Sequence, residues 1–116
     1  MRYALLICSD ESAQAAAGPD EIAAMMAAYD AFGAEMGARG VLQSGERLRP
    51  TTDATTVRVV GGELVVSDGP FAETKEQMGG FYIVDCKDLD EAIEIASKIP
   101  AAQFGGLVEV RPIWDM

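Results

Sequence analysis

A chain of 116 residues with 9 basic and 19 acidic side chains carries a formal net charge of −10 and has no histidine. That balance excludes a nucleic-acid interface, which needs clustered Lys and Arg to neutralise phosphates, and it argues against an anionic membrane surface. Without His there is no imidazole base, imidazole metal ligand or His-assisted nucleophile, so acid–base work falls to carboxylates, Lys, Tyr or Cys.

The length suits one domain, 1–116, able to bury roughly two-thirds of the surface its unfolded chain exposes without metal or disulfide. Residues Arg2–Cys8 predict a first strand with apolar side chains on both faces, hence a central strand covered on both sides. Ser9, Asp10 and Glu11 interrupt this run too early for a secretory signal, and no stretch reaches membrane-spanning length, so the cytoplasm is the expected location. Ser9 to Gly18 reads as a loop. Pro19, Asp20 and Glu21 open a helix, since proline suits the first turn and acids favour the positive end of the dipole. Ile22, Met25, Met26, Tyr29, Phe32 and Met36 follow as one stripe expected to pack on a sheet, and Gly40 suits the C-cap.

Val41 to Leu48 predicts a second strand interrupted by Gly45, followed by a polar loop around Pro50. Thr55–Val60 and Glu63–Ser67, joined by Gly61-Gly62, predict a β-hairpin. Phe81 to Val84 reads as another strand apolar on both faces. Asp88 and Glu91 form a capping box for a helix whose inner face is expected to be Leu89, Ala92, Ile93, Ala96 and Ile99, ended by Pro100. Leu107–Ile113 predicts the last strand, with Val108 and Val110 inward and Glu109 and Arg111 on the opposite face.

Hairpin aside, this order is a split βαβ pattern of ferredoxin-like type, an α+β fold. Two helices can cover one face of such a sheet. The apolar residues left on the other face lead us to expect a homodimer, sheet against sheet. Cys8 and Cys86 are expected as reduced, buried thiols. They end two strands that could lie side by side, which leaves a redox role open, although neither belongs to a Cys-x-x-Cys motif.

The most punctuated segment runs from Ser67 to Gly80. Asp68-Gly69 favours a tight turn and Pro70 restrains Gly69 to an extended shape. Phe71 is expected to anchor in the core. Thr74 and Gln77 suggest a capping box for a short helical turn, which would make Glu73 and Glu76 neighbours. Asp68, Glu73 and Glu76, with Lys75 beside them, could shift one another's protonation or meet a ligand; equally, Asp68 could accept backbone N–H bonds in its turn while the glutamates stay solvated. The spacing matches no metal motif, and no metal or cofactor is indicated.

The chain resembles the YCII-related family, in its DGPF branch, through Asp68-Gly69-Pro70-Phe71 and its continuation Ala72-Glu73-Thr74-Lys75-Glu76-Gln77 and Gly79-Gly80-Phe81-Tyr82. Asp88-Leu89-Asp90-Glu91-Ala92, Ile99-Pro100-Ala101-Ala102 and Val108-Glu109-Val110-Arg111-Pro112 extend it over nearly the whole chain. The resemblance implies a ferredoxin-like fold and a dimeric α/β barrel. Related proteins have been proposed to be enzymes using a His-Asp pair; only the Asp maps here, at Asp68. The branch often accompanies extracytoplasmic-function sigma factors.

Two functions are therefore carried forward. One is a small-molecule enzyme or ligand-binding protein. Here Asp68 is the catalytic acid/base, Gly69, Pro70 and Phe71 shape the site, Glu46, Glu73 or Glu76 tune it, and Arg111 or Lys75 holds an anionic substrate. The other is a non-catalytic regulatory module tied to such a sigma factor.

Overall fold

The computed structural model describes residues 1–71 and 74–115. It is α+β. The elements are β1 (Arg2–Ser9), α1 (Glu11–Ala15), α2 (Pro19–Arg39), β2 (Leu42–Arg47), β3 (Thr55–Val60), β4 (Glu63–Asp68), β5 (Gln77–Asp85), α3 (Leu89–Ser97), α4 (Pro100–Gln103) and β6 (Leu107–Pro112). Four strands form an antiparallel sheet in the order β2-β5-β1-β6, and β3-β4 form a separate two-stranded sheet. Because β1 and β2 each pair antiparallel with β5, they run in the same direction on either side of it.

One face of the sheet carries the core. Tyr3, Leu5, Ile7 and Val84 point from the strands into Phe32 and Met36 of α2 and Ala92, Ile95, Ala96 and Ile99 of α3 and its exit. The Phe32 and Tyr82 rings meet at 5.0 Å between centroids, tilted by 50°. Tyr82 needs the space over Gly45: a Cβ there would stand 2.8 Å from its Cε1, which explains the glycine inside β2. Helix α2 starts at Pro19 and ends at Gly40, whose φ of 71° lets the N–H groups of Gly40 and Val41 turn back to Gly37 and Met36.

The helix faces differ in part from the periodic reading. In α2 only Phe32 and Met36 are buried; Ile22 and Met26 are exposed. In α3 the buried stripe is Ala92, Ile95, Ala96 and Ile99, an i, i+3, i+4, i+7 set, while Leu89 and Ile93 face out. Asp88 caps α3 by accepting from the Glu91 N–H at 2.9 Å; Glu91 reaches one residue further back, to the Lys87 N–H. The helix stops at Ser97, and Pro100 opens α4 rather than closing α3.

The opposite face of the sheet has no cover among the described residues. Ala4, Leu6 and Cys8 of β1 and Phe81 and Ile83 of β5 lie there half-buried, so β1 is packed on one side only. The register sets Glu46, Phe81, Leu6 and Glu109 in one row and Ser44, Ile83, Ala4 and Arg111 in the next. Apolar residues thus hold the middle of this face and charged ones stand on its edge strands. The molecule is a plate of 48 × 44 × 18 Å. Its radius of gyration is 16.0 Å, against about 13 Å for a compact chain of roughly this length.

The β3-β4 hairpin accounts for part of that excess. It turns through Gly61 and Gly62 at φ 58° and 82°, the pair of positive values a two-residue hairpin loop requires. Every residue of its two strands except Thr56 is exposed.

Cys8 is half-buried, Cys86 is buried, and both are free thiols. They do not lie side by side. Cys8 pairs with Met78 at one end of the β1–β5 ladder, whereas Cys86 follows Asp85 at the other. No helix among the described residues is long and apolar enough to cross a membrane.

Candidate functional site

The conformation of the Asp68–Phe71 turn comes from its glycine. Gly69 adopts φ 90°, a left-handed value that L side chains avoid. Its N–H donates to the Ala54 carbonyl at 2.7 Å, and its own carbonyl accepts from Thr56 Oγ1 at 2.8 Å. The turn is therefore tied to both sides of the β3 entrance. Asp68 takes no part in this: among the described residues its carboxylate makes no hydrogen bond or ion pair, and it is exposed. Nor does Phe71 enter the core. It is 72% exposed, and the Arg58 guanidinium lies over its ring at 4.6 Å from the centroid. The ring stands outside the core here, and the arginine covers one of its faces.

Past the turn, Thr74 Oγ1 accepts from the Glu76 N–H at 3.2 Å, and Gln77 Nε2 donates to the Thr74 carbonyl at 2.6 Å. These bonds make a bend leading directly into β5 rather than the expected helical turn. Glu73 lies outside the described residues.

Between this bend and the loop after β2 is an open cavity of about 540 Å³. Its floor is Cys8 and Met78, which belong to the uncovered face of the sheet. One wall is Leu48, Arg49, Pro50, Thr51, Asp53 and Ala54; the other is Pro70, Thr74, Glu76 and Gln77. The first wall is held by α1, a helix inside the segment expected to be a loop. Asp10 caps it, accepting from the Ser12 and Ala13 N–H groups at 2.9 and 3.4 Å. The carboxylate of Glu11 then receives the Thr51 N–H at 3.0 Å and Thr51 Oγ1 at 2.6 Å. Arg49 pairs with Asp53 at 2.9 Å, so its charge is locally compensated. Burial, followed by Glu109 and Glu76, pushes the Cys8 thiol up from its ordinary range. It is a protonated floor group at neutral pH, not an activated nucleophile.

The structure thus brings Pro70 and Glu76 to the cavity, with Gly69 fixing the turn behind Pro70. Asp68 and Phe71 do not line it, and Lys75 is exposed on the bend. Glu46 and Arg111 stand on the edge strands at opposite sides of the sheet, with Arg111 paired to Glu109. Sequence reasoning missed Glu11, Thr51, Arg49, Asp53 and the role of Cys8 and Met78 as a floor. The available signal was Asp10 followed by helix-forming residues, an N-cap pattern that places Glu11 in a first turn. Among the described residues, no group of three or more Cys, Asp or Glu is arranged to hold a metal ion.

Comparison with known proteins adds a family. The model of the YCII-related domain matches residues 1–116. The chain belongs to the YCII-related family. It is 44% identical over 114 residues to "Uncharacterized protein R00369" of Rhizobium meliloti (strain 1021), across 97% of this chain and 92% of that relative. A YCII-related chain is thus represented here with a cavity formed by its Pro70 turn, its Thr51 loop and the sheet floor.

Proposed function

We propose that this YCII-related protein binds a small organic molecule in the cavity over Cys8 and Met78. The observation that carries the reading is the cavity itself: about 540 Å³, within the usual range of ligand pockets, with an apolar floor and walls that mix apolar with polar and charged residues. Its charges suggest the ligand's chemistry. Arg49 is neutralised by Asp53, while Glu76 has no cation paired to it among the described residues. An apolar body with an ammonium end suits this arrangement better than a carboxylate. Asp68 does not line the cavity, so the reading is one of binding and assigns it no proton transfer.

Titration of the labelled protein with phenethylamine and with 3-phenylpropionate, followed by NMR, tests the reading. The amine is expected to perturb Cys8, Leu48 and Met78, and Glu76→Gln to weaken it about tenfold, or 1.4 kcal/mol. Met78→Trp, which fills the cavity, is expected to abolish the response. If neither probe perturbs those residues, the reading fails.

The fold that accompanies this reading is a ferredoxin-like split βαβ unit with β3-β4 inserted, paired into a dimeric α/β barrel. The strand order β2-β5-β1-β6 and the antiparallel pairing support the first part. The uncovered apolar face supports the second. A second function, a regulatory surface facing another protein such as a sigma factor, is favoured by the exposed Phe71 under Arg58. Phe71→Ala is then expected to abolish capture of that sigma factor while leaving amine binding intact; unchanged capture would end this alternative.

A further inference from the structure

We propose that the β3-β4 hairpin is an intersubunit arm: its Val57, Val59, Leu64 and Val66 face is covered by a second copy of this chain. The two faces of the hairpin are chemically distinct. The pairs Val57–Val66 and Val59–Leu64 fill one face, with Thr55–Asp68 at its base. The other face carries Thr56–Ser67, Arg58–Val65 and Val60–Glu63, with Arg58 turned over Phe71. The first face is aliphatic to its tip and the second is mixed. Val59 is 70% exposed and Leu64 68%. A two-stranded hairpin is marginal in water unless a third strand or another layer packs on it, and neither does so among the described residues.

Area shows why the arm and the sheet face belong to one interface. Four strands of six to nine residues, about 4.8 Å apart, give the uncovered sheet face a footprint of about 450 Å², and the hairpin face adds about 200 Å². A specific interface of standard size buries about 800 Å² of accessible surface on each partner, and obligate homodimers bury more; the accessible area of a corrugated face exceeds its flat footprint. Neither surface meets that need alone; together they approach it. Both are present once in every copy, as a two-fold interface requires. Charge points the same way. Two chains of −10 repel except through surfaces that carry little charge. The arm face has only Asp68, at its base, and the middle of the sheet face has none. A basic partner would find little to neutralise there.

Sedimentation equilibrium of the full chain, with two matched double variants, tests the arm. Wild type is expected to be a dimer at micromolar concentration. Val59→Lys with Leu64→Lys is expected to raise the dissociation constant at least 100-fold, whereas Val60→Lys with Val65→Lys, on the mixed face, changes it less than threefold. Equal effects of the two pairs, or none from the first, would overturn the arm while leaving a sheet-face dimer standing. A monomeric wild type would overturn both, and amine binding to the cavity is read separately. Circular dichroism checks that the variants fold. Should the first pair unfold, hydrogen exchange of wild type replaces it: residues 57–66 are expected to lose protection on dilution through the dimer dissociation constant, and concentration-independent exchange would sink the proposal.

Discussion

Glu11 and Thr51, forty residues apart, are joined by two hydrogen bonds from Thr51 to one carboxylate, at 3.0 Å from its N–H and 2.6 Å from its Oγ1. This clamp fastens the loop that forms one wall of the cavity to the short helix after β1. Glu11→Ala leaves both donors to solvent, and a loss of about 1–2 kcal/mol is expected in urea unfolding. Amine binding is expected to weaken in parallel because the wall is no longer held. Glu11→Gln, which keeps one acceptor oxygen, is expected to retain part of both.

The turn separates a backbone role from a side-chain role in adjacent residues. Asp68→Ala is expected to change stability by less than about 0.5 kcal/mol, as for an exposed side chain without partners. Gly69→Ala must hold alanine at φ 90° and is expected to cost about 1–3 kcal/mol. Chemical denaturation of the two variants side by side checks this. A large loss from Asp68→Ala would return the aspartate to a structural role.

Cys8 is expected to alkylate slowly at pH 7. Its thiol is pushed up, first by burial and then by Glu109 and Glu76, so the reactive thiolate appears only at higher pH than for a free thiol. Glu76→Gln removes one of these causes and is expected to shift the iodoacetamide rate profile toward lower pH. An unshifted profile would place Glu76 too far from the floor to act on a ligand there.

The pair Arg39–Glu94 joins α2 to α3 through hydrogen bonds of 3.0 and 2.8 Å. The Arg39 hydrogen bond, helped by Lys98, holds the Glu94 carboxyl at about 2, below its ordinary 4.5. A depressed carboxyl stabilises the fold above its unfolded value, and this contribution is lost as pH falls from about 4.5 through 2. Glu94 is 43% exposed, so solvent screens the pair and the loss is expected to be about 0.5 kcal/mol. Thermal melts of Glu94→Gln and wild type are expected to differ at pH 6 and to draw together as pH falls toward 2.

The strands were legible because alternation and glycine punctuation are local. Gly61-Gly62 placed the hairpin, and Gly40 placed the end of α2. Which residues of a stripe are buried was not legible, because it depends on where the sheet ends beneath the helix. Ile22 and Met26 continue the pattern of Phe32 and Met36 but are exposed. The cavity was hidden for a related reason. Its floor, two walls and clamp come from separate stretches around Cys8, Thr51, Pro70 and Met78, and only tertiary structure brings these together. The Asp68 turn drew notice through its composition, yet the residue that fixes its shape is Gly69, and the neighbour that reaches the cavity is Pro70.

Leu5 and Leu6 are consecutive in β1, one fully buried under the helices and the other on the uncovered face. In a plate 18 Å thick no further layer separates these roles. A core substitution at Leu5 that tilts the strand must re-aim Leu6, and a change at Leu6 loads the backbone that seats Leu5. Folding of the chain and, in the proposed dimer, its association with a second copy therefore meet in adjacent side chains of one strand. Selection or engineering acting on either would be constrained by the other.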